Sequence, residues 1–169
     1  GYPMLKMLLQ NNINATGHDI KASENFKDFG EKYIPSKSDF FLKNNVVLSI
    51  VRDTKETEDL LIKNNVLLSK EHVTILICST LPITYIKKLK KNLPEHFRLI
   101  DTPMSGSTIK AQEGTLTFMV GGNEDAYKKM LPLFKIMGKK SLLCGSSGSG
   151  QATKACNNML LATTMIGVG

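Results

Sequence analysis

The stretch VVLSIVRDTKETEDLLIKNNVLLSKEHVTILICST, residues 46–80, decides the fold class. It holds two apolar runs, Val46 to Val51 and Val73 to Cys78, each of strand length and rich in β-branched residues. Between them the charged and apolar residues of Thr54 to Ile62 alternate as on an amphipathic helix. A strand, a helical crossover and a second apolar strand form a βαβ unit, whose strands lie parallel.

Working outward, the same alternation continues in both directions. Further strands are predicted at Ala15 to Ile20, Phe97 to Asp101, Thr115 to Val120 and Ser141 to Leu143, with a short one at Lys32 to Ile34. Helices are predicted at Pro3 to Asn11, Ser36 to Leu42, Pro82 to Lys91, Glu124 to Met137 and Gln151 to about Val168. Pro82 suits a first helical turn, where a missing N–H costs little, and Gly138 is the expected stop after Met137. The expected architecture is an α/β domain with a mostly parallel sheet and flanking helices.

Composition narrows the function classes. A 169-residue chain with 41% hydrophobic and 22% charged residues buries a core as one domain, and its longest apolar runs fall far short of the roughly 20 residues of a membrane helix, so no membrane span is expected. The three cysteines, Cys78, Cys144 and Cys156, match neither a disulfide framework nor a metal clip and read as buried thiols in a reducing compartment. No metal site is expected. The net charge of +7 is scattered, and its densest cluster, KKLKK at 87–91, has the spacing of a solvated helix face; no nucleic-acid partner is expected.

Three constellations could carry chemistry. Lys154 and Asn158 stand four apart on an otherwise apolar helix and project from one face; taken alone they read first as a snorkelling lysine and a helix-satisfied amide, and otherwise as a donor pair for an oxygen-rich ligand. A lysine one turn into a helix also opposes the positive end of the helix dipole, so something must compensate. DTPMSGS at 101–107 follows a strand and offers hydroxyls and backbone N–H groups to a carboxylate or phosphate, or is a polar turn. Ser79 and Thr80 end another strand and could bind a ligand or cap the helix after Pro82. All lie past the carboxyl ends of strands, where open α/β sheets place ligands. His18, His72 and His96 show no relation to a nucleophile, and HExxH and GxSxG are absent, so a hydrolase is set aside. The last helix is apolar almost all round, through Ala155, Met159, Leu160, Ala162 and Met165, which calls for packing by a further domain or subunit.

IDTPMSGSTIKAQEGTLTFMVGG (100–122) and GSGQATKACNNMLLATTMIG (148–167) resemble the β-hydroxyacid dehydrogenase family, in the 6-phosphogluconate dehydrogenase superfamily, and the similarity extends along the chain. The resemblance implies a Rossmann-like NAD(P)-binding domain over 1–150 and, from 151 to 169, the start of a long interdomain helix leading to an all-helical domain. It also implies a fragment. The sequence opens Gly-Tyr-Pro, so Gly1 is at most the last glycine of the dinucleotide loop, and Gly169 falls inside a helical pattern.

Residue by residue, the resemblance makes Lys154 the catalytic acid/base, its pKa lowered by burial. Asn158, Ser105, Gly106 and Ser107 become substrate contacts; Gly1, Asp19, Val51, Arg52 and Thr80 become cofactor contacts. Ser107, where the family has glycine, and Arg52, where it has proline, are departures. Lys154-Ala-Cys-Asn157-Asn158 differs from the Lys-x-x-His-Asn of 6-phosphogluconate dehydrogenases, which prefers the small hydroxyacid branch. NAD is preferred to NADP, because Asp19 at a strand end suits a ribose diol, although Lys21 could meet a phosphate and Asp19 could be a cap. The implied activity is hydride transfer between NAD(P) and a short-chain 3-hydroxy acid, by an intracellular, cytoplasmic or mitochondrial homo-oligomer. The alternative is a non-catalytic dinucleotide-binding or interaction module that kept the fold.

Overall fold

The computed structural model describes residues 1–21, 24–63 and 65–168. Along the chain run α1 (Tyr2–Gln10), a 3-10 segment (Glu24–Lys32), α2 (Lys37–Lys43), β1 (Val46–Ser49), α3 (Thr54–Leu61), α4 (Asn65–Leu68), β2 (Thr74–Ile77), α5 (Ile83–Asn92), β3 (Arg98–Asp101), β4 (Met104–Ser105), α6 (Thr108–Gln112), β5 (Leu116–Gly121), α7 (Glu124–Met137), β6 (Gly138–Gly145) and α8 (Ser149–Val168).

The sheet grows from β2. All four of its residues are buried, because helices cover both faces: Ile75 and Ile77 enter one core with Phe41, Leu61, Leu67, Ile86 and Leu89, while Leu76 and Cys78 enter the other with Met4, Leu8, Phe118, Phe134 and Met137. β1 and β3 flank β2 in parallel, in the registers Val46↔Thr74 and Thr74↔Arg98. After Thr102 and Pro103 the chain continues as β4, and β3 and β4 together lie antiparallel to β5 through Asp101↔Gly121 and Ser105↔Thr117. β6 returns parallel to β5. Fold class is therefore as the sequence implies, α/β and mostly parallel with an antiparallel step.

Helix starts follow their caps. Ser36 accepts from Asp39 N at 3.2 Å, Asp53 from Glu56 N at 2.8 Å, and Asn123 from Asp125 N at 2.9 Å and Ala126 N at 3.2 Å, each cap worth about 1 kcal/mol. On α5 the lysines at 87, 88, 90 and 91 are exposed and Ile86 and Leu89 buried, so the basic cluster is a wet face. Among the described residues no helix is long and apolar enough to cross a membrane.

Three expectations need correction: the strands at Ala15 to Ile20 and at Lys32 to Ile34, and the burial of all three thiols. Ala15 to Ile20 and Lys32 to Ile34 are not strands: they share one parallel bridge, Gly17↔Tyr33, in which Gly17 N donates to Lys32 O and Ile34 N to Gly17 O, both at 2.8 Å. A strand needs a ladder, and Ala15 to Lys21 faces the outer edge of β1 across a cavity instead of pairing with it. Gly138 stops α7 in extended backbone (φ −147°) and opens β6; glycine is needed because a Cβ would sit 2.5 Å from Leu116 O and 2.9 Å from the Phe118 ring. The outer part of α8 stands uncovered, with Met159, Leu160, Leu161, Met165, Ile166 and Val168 exposed. Of the cysteines only Cys78 is buried, since Cys156 lies on that uncovered helix and Cys144 is half-buried.

Candidate functional site

The carboxyl ends of β2 and β3 meet the first turn of α8 through polar side chains, and the chain after β1 joins them through Ser79. The Asp101 carboxylate, fully buried at the end of β3, accepts from Gly148 N at 2.7 Å and Gln151 N at 2.9 Å. The Gln151 side chain, 1% exposed, accepts from Leu81 N at 2.9 Å and donates to Ser79 O at 2.8 Å. Ser79 donates its hydroxyl to Val51 O, and the Thr102 hydroxyl lies 3.3 Å from Cys78 Sγ. Backbone approaches this closely only because glycines permit it. A Cβ on Gly150 would lie 2.4 Å from Met119 O, and one on Gly121 would lie 2.6 Å from the Asp101 carboxylate.

Lys154 projects from α8 one turn beyond this junction and is half-buried, less enclosed than the sequence implied, and Asn158 a turn later is exposed. Ser105 is half-buried on β4, Gly106 turns the chain at φ +141°, and Ser107 occupies the N-cap position of α6 without a side-chain cap bond. A Cβ on Gly106 would meet Leu116 Cδ2 at 2.8 Å, so the turn is held against β5. Among the described residues, no hydrogen bond joins Ser105, Gly106 or Ser107 to Lys154 or Asn158. The structure places them on β4–α6 and α8 without linking them.

Gly1, Asp19, Val51 and Arg52 do come together, lining one cavity of about 1000 Å³ between the outer edge of β1, the start of α1 and Ala15 to Lys21. Asp19 is exposed and its carboxylate accepts from Lys21 N at 2.9 Å, so the turn cap and the cavity position hold at once. Arg52 is tied down locally: its backbone N and Nε donate to the Glu56 carboxylate at 2.8 and 2.7 Å, and its Nη2 also contacts that group, holding the Glu56 carboxyl below its usual range. Thr80 is exposed beyond β2 and is not part of the cavity lining. Neither Ser79 nor Thr80 caps α5, which has no side-chain cap bond after Pro82.

Asp101 and Gln151 are the residues that motif reading left without a role. Their signal was present: a carboxylate closing the apolar strand Arg98–Asp101, and an amide opening an apolar helix. Burial pushes the Asp101 carboxyl up, against the pull of the backbone N–H groups of Gly148 and Gln151, and pushes the Cys78 thiol to about 11, leaving it neutral.

A family model described as the NAD binding domain of 6-phosphogluconate dehydrogenase matches residues 1–146. The chain is 34% identical over 172 residues to the mitochondrial 3-hydroxyisobutyrate dehydrogenase of Homo sapiens, covering 99% of this chain and 51% of that protein. To the NAD-dependent L-serine dehydrogenase of Pseudomonas aeruginosa it is 40% identical over 127 residues, covering 72% of this chain and 42% of that protein. A solved structure of Mycobacterium tuberculosis 3-hydroxyisobutyrate dehydrogenase with L-serine aligns at a TM-score of 0.90 and 26% identity, over 99% of this chain and 58% of that one. The chain thus spans about half the length of these relatives.

Proposed function

The chain belongs to the β-hydroxyacid dehydrogenase family, and from that premise we propose that the protein moves a hydride between NAD(P) and a short-chain 3-hydroxy acid, or reduces the matching semialdehyde. The observation that carries this reading is the convergence of the ends of β2 and β3 with the first turn of α8, from which Lys154 and Asn158 project one turn apart. The dinucleotide-binding domain is assigned to 1–150, with α8 leading out of it.

The cavity fits the cofactor. Its lining combines the N-terminus of α1 at Gly1, the Asp19 carboxylate and the Val51–Arg52 strand end, which suit a pyrophosphate, a ribose diol and the remainder of a dinucleotide. Asp19 favours NAD by repelling a 2′-phosphate, with Thr80 as a further contact. When bound, the nicotinamide supplies the hydride chemistry. Lys154 takes the substrate hydroxyl proton during oxidation and returns it during reduction. The backbone N–H groups and hydroxyls of Ser105, Gly106 and Ser107 hold the carboxylate, and Asn158 orients the substrate. Arg52, a departure from the family pattern, is engaged by Glu56 at the cavity wall. Expected surroundings are a cytoplasmic or mitochondrial homo-oligomer.

The relatives' names point to L-serine and 3-hydroxyisobutyrate, both 3-hydroxy acids, as the first substrates to try. With the complete protein, a panel of such acids and aldehydes is followed by NADH and NADPH absorbance. Turnover that Lys154→Ala lowers on the order of 10³-fold, with cofactor binding kept, is the expected result. Cofactor binding without turnover by the unsubstituted protein would support the non-catalytic module instead.

A further inference from the structure

We propose that Asp101 and Gln151 are positioning residues: together they clamp the first turn of α8 across the ends of β2 and β3, and so fix where Lys154 and Asn158 project. The inference rests on the dehydrogenase reading of Lys154.

Among the described residues, the hydrogen bonds that join α8 and its lead-in to the ends of β2 and β3 all run through these two side chains. Asp101 grips Gly148 N and Gln151 N, two of the amides that a helix start leaves without intrahelical partners. Gln151 grips Ser79 O and Leu81 N on the next strand end, and Ser79 in turn reaches Val51 O, which lines the cavity. One hydrogen-bonded relay therefore runs from the cofactor-side loop to the helix that bears Lys154, three residues beyond Gln151. Gly121 and Gly150 complete the clamp by removing the side chains that would hold strand and helix apart.

The choice of residues is costly for stability alone. Apolar side chains of similar size would pack this junction without burying a carboxylate, whose burial raises its pKa. What the carboxylate adds is direction: it fixes two amides at once, and its charge lies at the positive end of α8, supplying the compensation that a lysine in the helix's first turns requires.

The test uses the complete protein with Asp101→Asn, Asp101→Ala and Gln151→Met. Asparagine keeps the shape and one acceptor, alanine keeps neither, and methionine fills the Gln151 space without its polar atoms. Expected are losses in kcat on the order of 10- to 100-fold, with the KM for cofactor changed less than about threefold, and Asp101→Asn recovering part of what Asp101→Ala loses. Amide exchange at 148–154 should quicken in each variant while β2 keeps its protection. Exchange unchanged at 148–154 overturns the clamp even if activity falls, and faster exchange with unchanged kcat overturns its role in the reaction. Equal losses in Asp101→Asn and Asp101→Ala, with the KM for cofactor rising in step, overturn positioning in favour of general destabilisation. No turnover by the unsubstituted protein defeats the dehydrogenase reading and with it the role in the reaction, leaving the clamp itself to be judged by exchange alone.

Discussion

At Gly150 a methyl group would stand 2.4 Å from Met119 O and 2.8 Å from Asp101 O, backbone atoms in the middle of the sheet that cannot step aside. Gly150→Ala should therefore destabilise the domain by about 1–3 kcal/mol, seen as a lower denaturant midpoint with unchanged secondary structure. Asp101 carries the opposite pH signature from most carboxylates. Its folded pKa is raised by burial, so the folded state holds the proton more tightly. Its contribution to stability is greatest below the unfolded value of about 3.9 and falls as pH rises through the folded value. The stability difference between the unsubstituted protein and Asp101→Asn, followed by urea unfolding from acid to neutral pH, should decline across that window and then level off. A difference that grew with pH would contradict the burial effect. The thiols separate in the same way: Cys156 on the uncovered helix should alkylate in the native protein, while Cys78, buried with its pKa at about 11, should label only after unfolding.

At the scale of elements, β2 and α7 were legible because local and tertiary signals agree. Val73 to Cys78 is an apolar run broken by Thr74 alone, which rests where both faces are covered, and Glu124–Met137 has an Asn123 cap, acidic residues in its first turn and a buried face. Ala15 to Ile20 was misread because apolar content reports that a segment can be a strand, whereas the ladder depends on a neighbour at the right distance. β4, α4 and α6 span two to five residues, below the length at which periodicity carries information. The site divides similarly. Lys154, Ser105 and Gly106 are candidates that resemblance and position propose, whereas the Asp101–Gln151 junction joins residues 50 apart in sequence and needs coordinates to be seen. Hydrogen exchange should rank the elements accordingly, with the amides of Ile75 to Ile77 slowest and those around Gly17, held by a single bridge, exchanging orders of magnitude faster.

For the whole molecule the dominant unresolved force is the outer half of α8. Six large apolar side chains stand in water there, from Leu161 at 57% to Ile166 at 82% exposed, on more than one face of the helix. Burying one such side chain is worth about 1.5–3 kcal/mol, so even partial cover of this helix outweighs the entropy of holding a partner against it. Among the described residues none covers the outer half of this helix, and the network around Asp101 holds its first turn. The 169-residue chain should therefore associate through α8 in solution, read as a mass above 18.7 kDa by light scattering and as strong binding of a hydrophobic dye. Leu160→Lys with Ile166→Lys, both far from the anchored turn, should return a monomer with weak dye binding and an unchanged midpoint for the α/β domain. Persistent association in that double variant would move the contact to the outer edge of β1, the end strand of the sheet, where unpaired strand amides could recruit a second chain.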